Sequence, residues 1–417
     1  MSSKNTSDLL IVGAGAAGLC AAILSSKAGV RVTILEQNDK VGKKILVSGN
    51  GKCNIANRHI SPHRFHSQNP DFVRSVLQGY DFGRIETFFT SLGLPLIEGA
   101  EGKMFPMSMQ AASVVDILAY EAQNAGVRIV CECKVQKVDK RENGFFLETT
   151  QGTMQSDMLL IATGSPAAPQ LGGGDWGYRF AKEMSHSLVP GHPALVQLRT
   201  EESWVKRCAG VKMRSRVTLY ANREEIVQKE GDILFTDYGV SGLAVLDISR
   251  EASIRLASFD YCELSIDLMP DYSKEQLSAL LIKNIKSKSQ KPILLWLQGI
   301  LHKKMAKVIL EKSKIKSETE GELHRKEINK LVHTLKNLKL SINDTKGFKH
   351  AEVTTGGIDT QKIDPETMAS KTVSGLYFAG EVLDVDGDRG GYNFHFAWVS
   401  GMRAAKAIGE NLKRPIC

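Results

Sequence analysis

Leu9-Leu10-Ile11-Val12-Gly13-Ala14-Gly15-Ala16-Ala17-Gly18 is followed shortly by Thr33-Ile34-Leu35-Glu36. An apolar strand, a G-x-G-x-x-G turn, a helix and a second strand ending in an acid are the parts of a dinucleotide-binding unit. Gly13 permits the tight turn, Gly15 lets the backbone approach a pyrophosphate, and Gly18 lets the helix pack on the sheet. The helix N-terminus, at Ala16 and Ala17, then turns N–H groups and a partial positive charge toward the phosphates. Glu36 stands 18 residues past Gly18, where a carboxylate accepts hydrogen bonds from ribose hydroxyls.

The 417 residues suffice for two or three domains, and 42% apolar content suits a sizeable core. Met1 to Asp8 is polar, and no run of 18 apolar residues occurs, so neither a signal peptide nor a spanning helix is expected, and no membrane partner. Seven cysteines (20, 53, 131, 133, 208, 262, 417) are scattered without C-x-x-C or zinc spacing. A reducing cytoplasm and no metal site follow. Cys131-x-Cys133 reads as a strand with both side chains on one face. The net charge of +8 is uneven: Lys274 to Lys349 holds 18 Lys/Arg and 7 Asp/Glu, a surplus of +11, leaving −3 elsewhere. Such a segment points to a polyanion partner, or to a solvated helical surface rich in lysine.

Residues 1–190 alternate strand signals (Leu9–Val12, Val30–Leu35, Val127–Cys131, Met158–Ala162) with helix signals (Ala17–Lys27, Ser113–Asn124). Gly144–Thr150 and Gly152–Ser156 read as a short hairpin beside the sheet. From 191 to 273 short strands (Leu195-Val196, Val217–Tyr220, Ile233–Phe235, Leu264–Leu268) suggest an inserted β-rich domain, a small barrel. Residues 274–347 read as a basic helical insert with helices at Glu275–Lys286, Pro292–Glu311 and Leu323–Leu338, and a loop at Ser313–Glu320. The α/β pattern returns at 348 with a strand, Leu376–Glu381, and a last helix, Phe394–Leu412. The dinucleotide domain is thus discontinuous, 1–190 and 348–417.

Three further motifs select FAD as the bound dinucleotide. Ala162-Thr163-Gly164 closes a strand of the nucleotide fold. Leu376 to Glu381 resembles the late strand of two-dinucleotide-binding flavoproteins, whose terminal acid, here Glu381 after Gly380, holds the ribityl chain. Gly391-Tyr392-Asn393-Phe394 starts the last helix, whose N–H groups and dipole stabilise negative charge on the reduced ring. Val41 to Asn54 (VGKKILVSGNGKCN), Phe235 to Gly242 (FTDYGVSG), Val353 to Gly357 (VTTGG) and Gly380 to Asp384 (GEVLD) together resemble the bacterial BaiN/RdsA family, also called the HI0933-like proteins. The resemblance spans residue 9 to about 405. It implies an α/β two-dinucleotide-binding FAD fold carrying an inserted barrel and a helical subdomain. It also implies cofactor contacts from Lys43, Lys44, Ser48, Gly49, Asn50, Gly51 and Asn54, with Val135 counted among them. Asn50 replaces a usual Gly and Asp237 a usual His.

Flavin supplies a hydride; the protein supplies substrate position and a proton. Cys53 is one candidate proton donor; the alternative is that it packs under the flavin or holds the loop. The resemblance implies reduction of activated C=C bonds, in steroid-like enones or in a uridine of ribosomal RNA, or else amine oxidation. An RNA substrate requires lysines on phosphates and room for an unstacked base. The basic segment fits RNA better than a steroid, and Lys303, Lys304 and Lys307 fall on one helical face. An O2-using oxidase and a non-enzymatic FAD-bound RNA or ribosome factor are the other classes. No second G-x-G-x-x-G is present, Gly172 to Gly177 being the nearest stretch, so NADH or NADPH is expected as a transient reductant.

Overall fold

The computed structural model describes residues 6–285 and 289–412. Two compact units result: Met1–Gly191 with Val353–Cys417, and His192–Glu352.

The first unit contributes β1 (Thr6–Val12), α1 (Ala16–Lys27), β2 (Val32–Leu35), α2 (Ala111–Asn124), β3 (Arg128–Val130), β4 (Val135–Arg141), β5 (Gly144–Thr149) and β6 (Gly152–Ile161). Its sheet runs β3-β2-β1-β6 in parallel, and the late strand Leu376–Phe378 adds to β6, also parallel. Leu9, Leu10 and Ile11 are all buried, as a strand covered on both faces requires.

β6 changes partner along its length. Gly152–Ser156 pairs antiparallel with β5, and Leu159–Ile161 pairs parallel with Leu376–Phe378. The expected outlying hairpin strand and the expected Met158–Ala162 strand are therefore one. Its sequence turns from alternating to continuously apolar at the point where both faces become covered. Cys131 and Cys133 do not share a strand face: β3 ends at Val130, and Glu132 takes a left-handed conformation (φ 54°) that turns the chain. The C-terminal helix Tyr392–Leu412 lies so close to α1 that a Cβ on Gly401 would stand 2.6 Å from the Ala17 carbonyl oxygen.

The second unit is an antiparallel sheet in the order Leu338–Ile342, Cys262–Asp267, Lys212–Ala221, Glu224–Phe235, Gly239–Ser241, Leu198–Arg199, Asp344–Thr345. Its two end strands are separated in the chain by Asn343 alone, so one run pairs with both edges and the sheet closes on itself as a barrel. The expected Leu195-Val196 strand is absent, because Leu195 has φ 49°. A helix not foreseen, Leu243–Ala257, buries Ala244, Val245, Ile248 and Ala252. The Glu275–Lys286 expectation is met by Lys274–Lys283, Lys286 lying outside the described residues, as does Cys417. The expected Pro292–Glu311 helix is two, Ile293–Leu297 and Lys303–Ser313, and Arg325–Lys336 follows. Leu277, Leu281, Met305, Ile309, Leu331 and Leu335 share one core with Val217, Leu219, Leu264 and Ile266. Residues 191–273 and 274–347, separated above on composition, are thus packed around the same apolar interior.

Candidate cofactor site

The FAD-related motifs gather at the C-terminal ends of the parallel strands, where ladder hydrogen bonds continue past the strands themselves. Gly13 N donates to Leu35 O (2.9 Å), Ala162 N to Val12 O (2.9 Å) and Ala379 N to Ile161 O (3.0 Å). This is the end at which open α/β sheets bind ligands. The three glycines of the turn are required for different reasons. Gly13 has φ 107°, and a Cβ there would meet Ala162 O at 2.3 Å. A Cβ on Gly18 would meet Gly13 O at 2.0 Å, whereas one on Gly15 would meet nothing within 4 Å. Gly164, at φ 72°, also faces open space. Gly13 and Gly18 serve the fold; the space beside Gly15 is open to a ligand. α1 has no side-chain cap and no acid in its first turn, so the N–H groups of Ala16, Ala17 and Gly18 are turned toward that space.

Glu36 is buried. Its Oε2 accepts from Ala14 N (2.9 Å), and its Oε1 accepts from Asn38 N (2.9 Å) and Nδ2 (2.7 Å). Cys133 N donates to Glu36 O (2.8 Å), which brings the segment leading to buried Val135 alongside. Glu36→Ala is therefore expected to weaken FAD binding about tenfold to a hundredfold, from the loss of roughly 1.5–3 kcal/mol of charge-assisted bonding. It is also expected to destabilise the turn by about 1–3 kcal/mol, because two backbone donors lose their acceptor. Titration of the apoprotein with FAD checks this; an unchanged affinity would detach Glu36 from the ribose.

Glu381 accepts from Lys44 Nζ (2.6 Å) and from Ser165 Oγ (2.6 Å), and Ser165 Oγ lies 2.9 Å from Thr354 Oγ1. Lys43 turns instead to Asp39 (2.7 Å). Ser165, fully buried, was not among the residues read from the sequence, although it directly follows Ala162-Thr163-Gly164. Two buried polar atoms of the motifs have no partner among the described residues: Asn54 Oδ1 and Thr163 Oγ1. These orphaned atoms and the open space beside Gly15 and Gly164 fit a bound FAD.

The Ser48–Asn54 loop enters left-handed backbone at four residues, with φ 56° at Gly49, 56° at Asn50, 79° at Gly51 and 57° at Cys53. Asn is among the non-glycine residues that best tolerate this region, so Asn50 preserves the turn of the usual Gly. Ser48 Oγ donates to Ile45 O (2.8 Å). Cys53 is fully buried, and burial pushes its thiol up to about 12. Near neutral pH that thiol stays protonated, and its full burial fits packing beneath the loop.

At the last helix, Gly390 and Gly391 have φ 125° and 99°. The side chains that follow build the loop. Asn393 grips the Gly387 backbone in both directions (2.8 Å each). Tyr392 packs edge-on against Phe65 (5.8 Å), and Phe394 stacks on Trp398 (5.9 Å). The polar groups this turn offers a ligand are its backbone N–H groups. His395, one residue on, is buried, with Nε2 3.0 Å from Tyr80 O, and desolvation holds its pKa down to about 4 despite Tyr80 and Asp81. An unfolded histidine titrates near 6.5. As pH falls from 6.5 to 4, the unfolded chain takes up a proton that the folded chain refuses, and up to about 3 kcal/mol of stability is lost. Thermal midpoints should fall across this window, less steeply in His395→Gln. Equal slopes would show that the imidazole is not held neutral.

Lys303, Lys304 and Lys307 are exposed on the Lys303–Ser313 helix, which carries no acid in its first turn. Lys304 Nζ donates to Ala209 O (2.7 Å), and Glu311, one turn beyond Lys307, holds Arg207 through both oxygens (2.7 Å each). Other lysines of the basic segment are paired: Lys312 with Glu202 (3.3 Å), Lys336 with Asp267 (2.6 Å), Lys339 with Glu263 (2.6 Å). Part of the +11 surplus is thus neutralised within this unit. Asp237 is exposed in a turn where Thr236 and Gly239 bond each other. Among the described residues there is no cluster of three or more His, Cys, Asp or Glu able to hold a metal, and no helix is long and apolar enough to cross a membrane.

A glycine turn open at Gly15, a buried acid after the second strand and a second acid beyond the late strand fit an FAD-dependent oxidoreductase. The chain belongs to the HI0933-like family: residues 7–407 match the HI0933-like protein Rossmann domain. It is 34% identical over 403 residues to a 3-dehydro-bile acid delta(4,6)-reductase of Clostridium scindens, covering 96% of this chain and 98% of that one. It is 33% identical over 411 residues to the ribosomal RNA dihydrouridine synthase of Haemophilus influenzae, covering 97% and 99%. Its fold is shared with 3-ketosteroid-delta4-(5alpha)-dehydrogenase of Rhodococcus jostii RHA1 (TM-score 0.52, 14% identity, 98% of each chain covered).

Proposed function

We propose that this protein reduces the C5=C6 bond of a uridine in ribosomal RNA to give dihydrouridine, with NADH or NADPH as transient reductant, in the cytoplasm. The observation that carries the RNA reading is the exposed trio Lys303, Lys304 and Lys307. Lys303 and Lys304 in the first turn, at the positive end of the helix dipole, with Lys307 just beyond, are locally unfavourable cations, and phosphates placed there offset that cost. FAD, when bound, supplies the hydride. Gly15 and the first turn of α1 would hold its pyrophosphate, Glu36 its ribose and Glu381 its ribityl chain. The N–H groups after Gly391 would hold the ring edge that becomes negative. Cys53 packs under the loop.

A small-molecule enone is the second reading. It is favoured by exposed Val47 (55%), next to the glycine loop, and exposed Met107 (59%), two residues past Phe105, whose ring lies 3.5 Å from a Cβ on Gly49. NADPH oxidation measured with ribosomal RNA, with a steroid enone and with neither separates the readings. RNA-dependent oxidation with dihydrouridine formed is expected. Enone-dependent oxidation indifferent to RNA would favour the second reading, and oxidation with neither would indicate an O2-using oxidase.

A further inference from the structure

Tyr178 lies on the helix Trp176–Glu183, and its hydroxyl is buried without a hydrogen-bond partner among the described residues. The position is tightly set. A Cβ on the preceding Gly177 would stand 2.3 Å from Thr163 Oγ1 and 3.0 Å from Val382. Thr163 Oγ1 is itself a buried hydroxyl without a partner. Two carboxylates, Glu381 and Asp384, act on the phenol electrostatically and, after burial, raise its pKa, so it stays protonated and can serve as a donor. Neither carboxylate takes its proton in a hydrogen bond. Glu381 accepts from Lys44 and Ser165, and Asp384 Oδ2 accepts from Gln68 N (2.8 Å) and Ser67 Oγ (3.2 Å). A buried donor left in this state penalises the protein that carries it.

We propose that Tyr178 is a further residue of the dinucleotide site, whose hydroxyl donates to an oxygen of bound FAD. The inference rests on the FAD assignment above. The sign of its effects separates it from a structural role. A hydroxyl that serves the fold stabilises the empty protein. A hydroxyl that waits for a ligand weakens the empty protein and strengthens the complex.

The test is Tyr178→Phe in the full-length chain, stripped of flavin, with FAD affinity measured by fluorescence titration and the apoprotein's thermal midpoint measured alongside. Expected are an FAD affinity weakened about tenfold and an apoprotein midpoint unchanged or raised by a few degrees. Thr163→Val, close in shape, should behave in the same way. An unchanged FAD affinity, or a lowered apoprotein midpoint, in Tyr178→Phe would overturn the proposal. Failure of the parent protein to bind FAD would instead overturn the cofactor assignment.

Discussion

Gly15→Ala is expected to leave the fold intact and to weaken FAD binding at least about a hundredfold. Gly15 has φ −84°, which alanine adopts freely, and its added Cβ would meet no atom of the chain within 4 Å. The methyl group therefore costs the empty protein almost nothing. It would stand where the backbone approaches a pyrophosphate, and hydrogen bonds to a charged group are worth roughly 1.5–3 kcal/mol each. Gly18→Ala should do the opposite. Its Cβ would lie 2.0 Å from the Gly13 carbonyl oxygen, a backbone atom that cannot swing aside. Overpacking of about 1–3 kcal/mol should lower the thermal midpoint before any ligand is considered. Calorimetry and FAD titration of both variants check the pair. A Gly15→Ala protein that binds FAD like the parent would mean that the phosphates lie elsewhere.

Changing Lys303, Lys304 and Lys307 together to Glu is expected to weaken RNA binding and to flatten its salt dependence. The log–log slope should fall by about two to three units, because each phosphate contact contributes roughly 0.7–0.9. FAD content should not change. The cofactor motifs lie in the other unit, and among the described residues the trio's bond to a neighbouring element is that of Lys304 to the Ala209 carbonyl. Filter binding across a salt series reads both quantities. A slope equal to the parent's would reduce this surface to solvated helix, one of the two readings its composition allowed.

The dinucleotide half was legible because its signals are local. A glycine turn, an acid at fixed distance and a helix start each occupy a few consecutive residues, and the sheet that unites them is continuously apolar. The parts that escaped depend on distant partners. β6 read as two strands because its first half pairs with β5 and its second with Leu376–Phe378, which are more than 200 residues apart in the chain. The helix Leu243–Ala257 was hidden among strand signals, although its buried residues follow helical spacing. Ser165 and Tyr178 carry no motif. Ser165 matters through a carboxylate 216 residues away, and Tyr178 through the absence of a partner. The charge surplus was legible as a number but not as a surface, since Lys312, Lys336 and Lys339 are matched by acids that composition assigned to a different segment.

The central claim is that this flavoprotein reduces a uridine of ribosomal RNA. Mass spectrometry of nucleosides from ribosomal RNA, in the source strain and in a strain lacking this gene, tests it most directly. Loss of a dihydrouridine in the deletion strain, restored by the parent chain and not by the Gly15→Ala variant, is the result expected. An unchanged dihydrouridine content in the deletion strain would contradict it and leave the small-molecule enone as the substrate class.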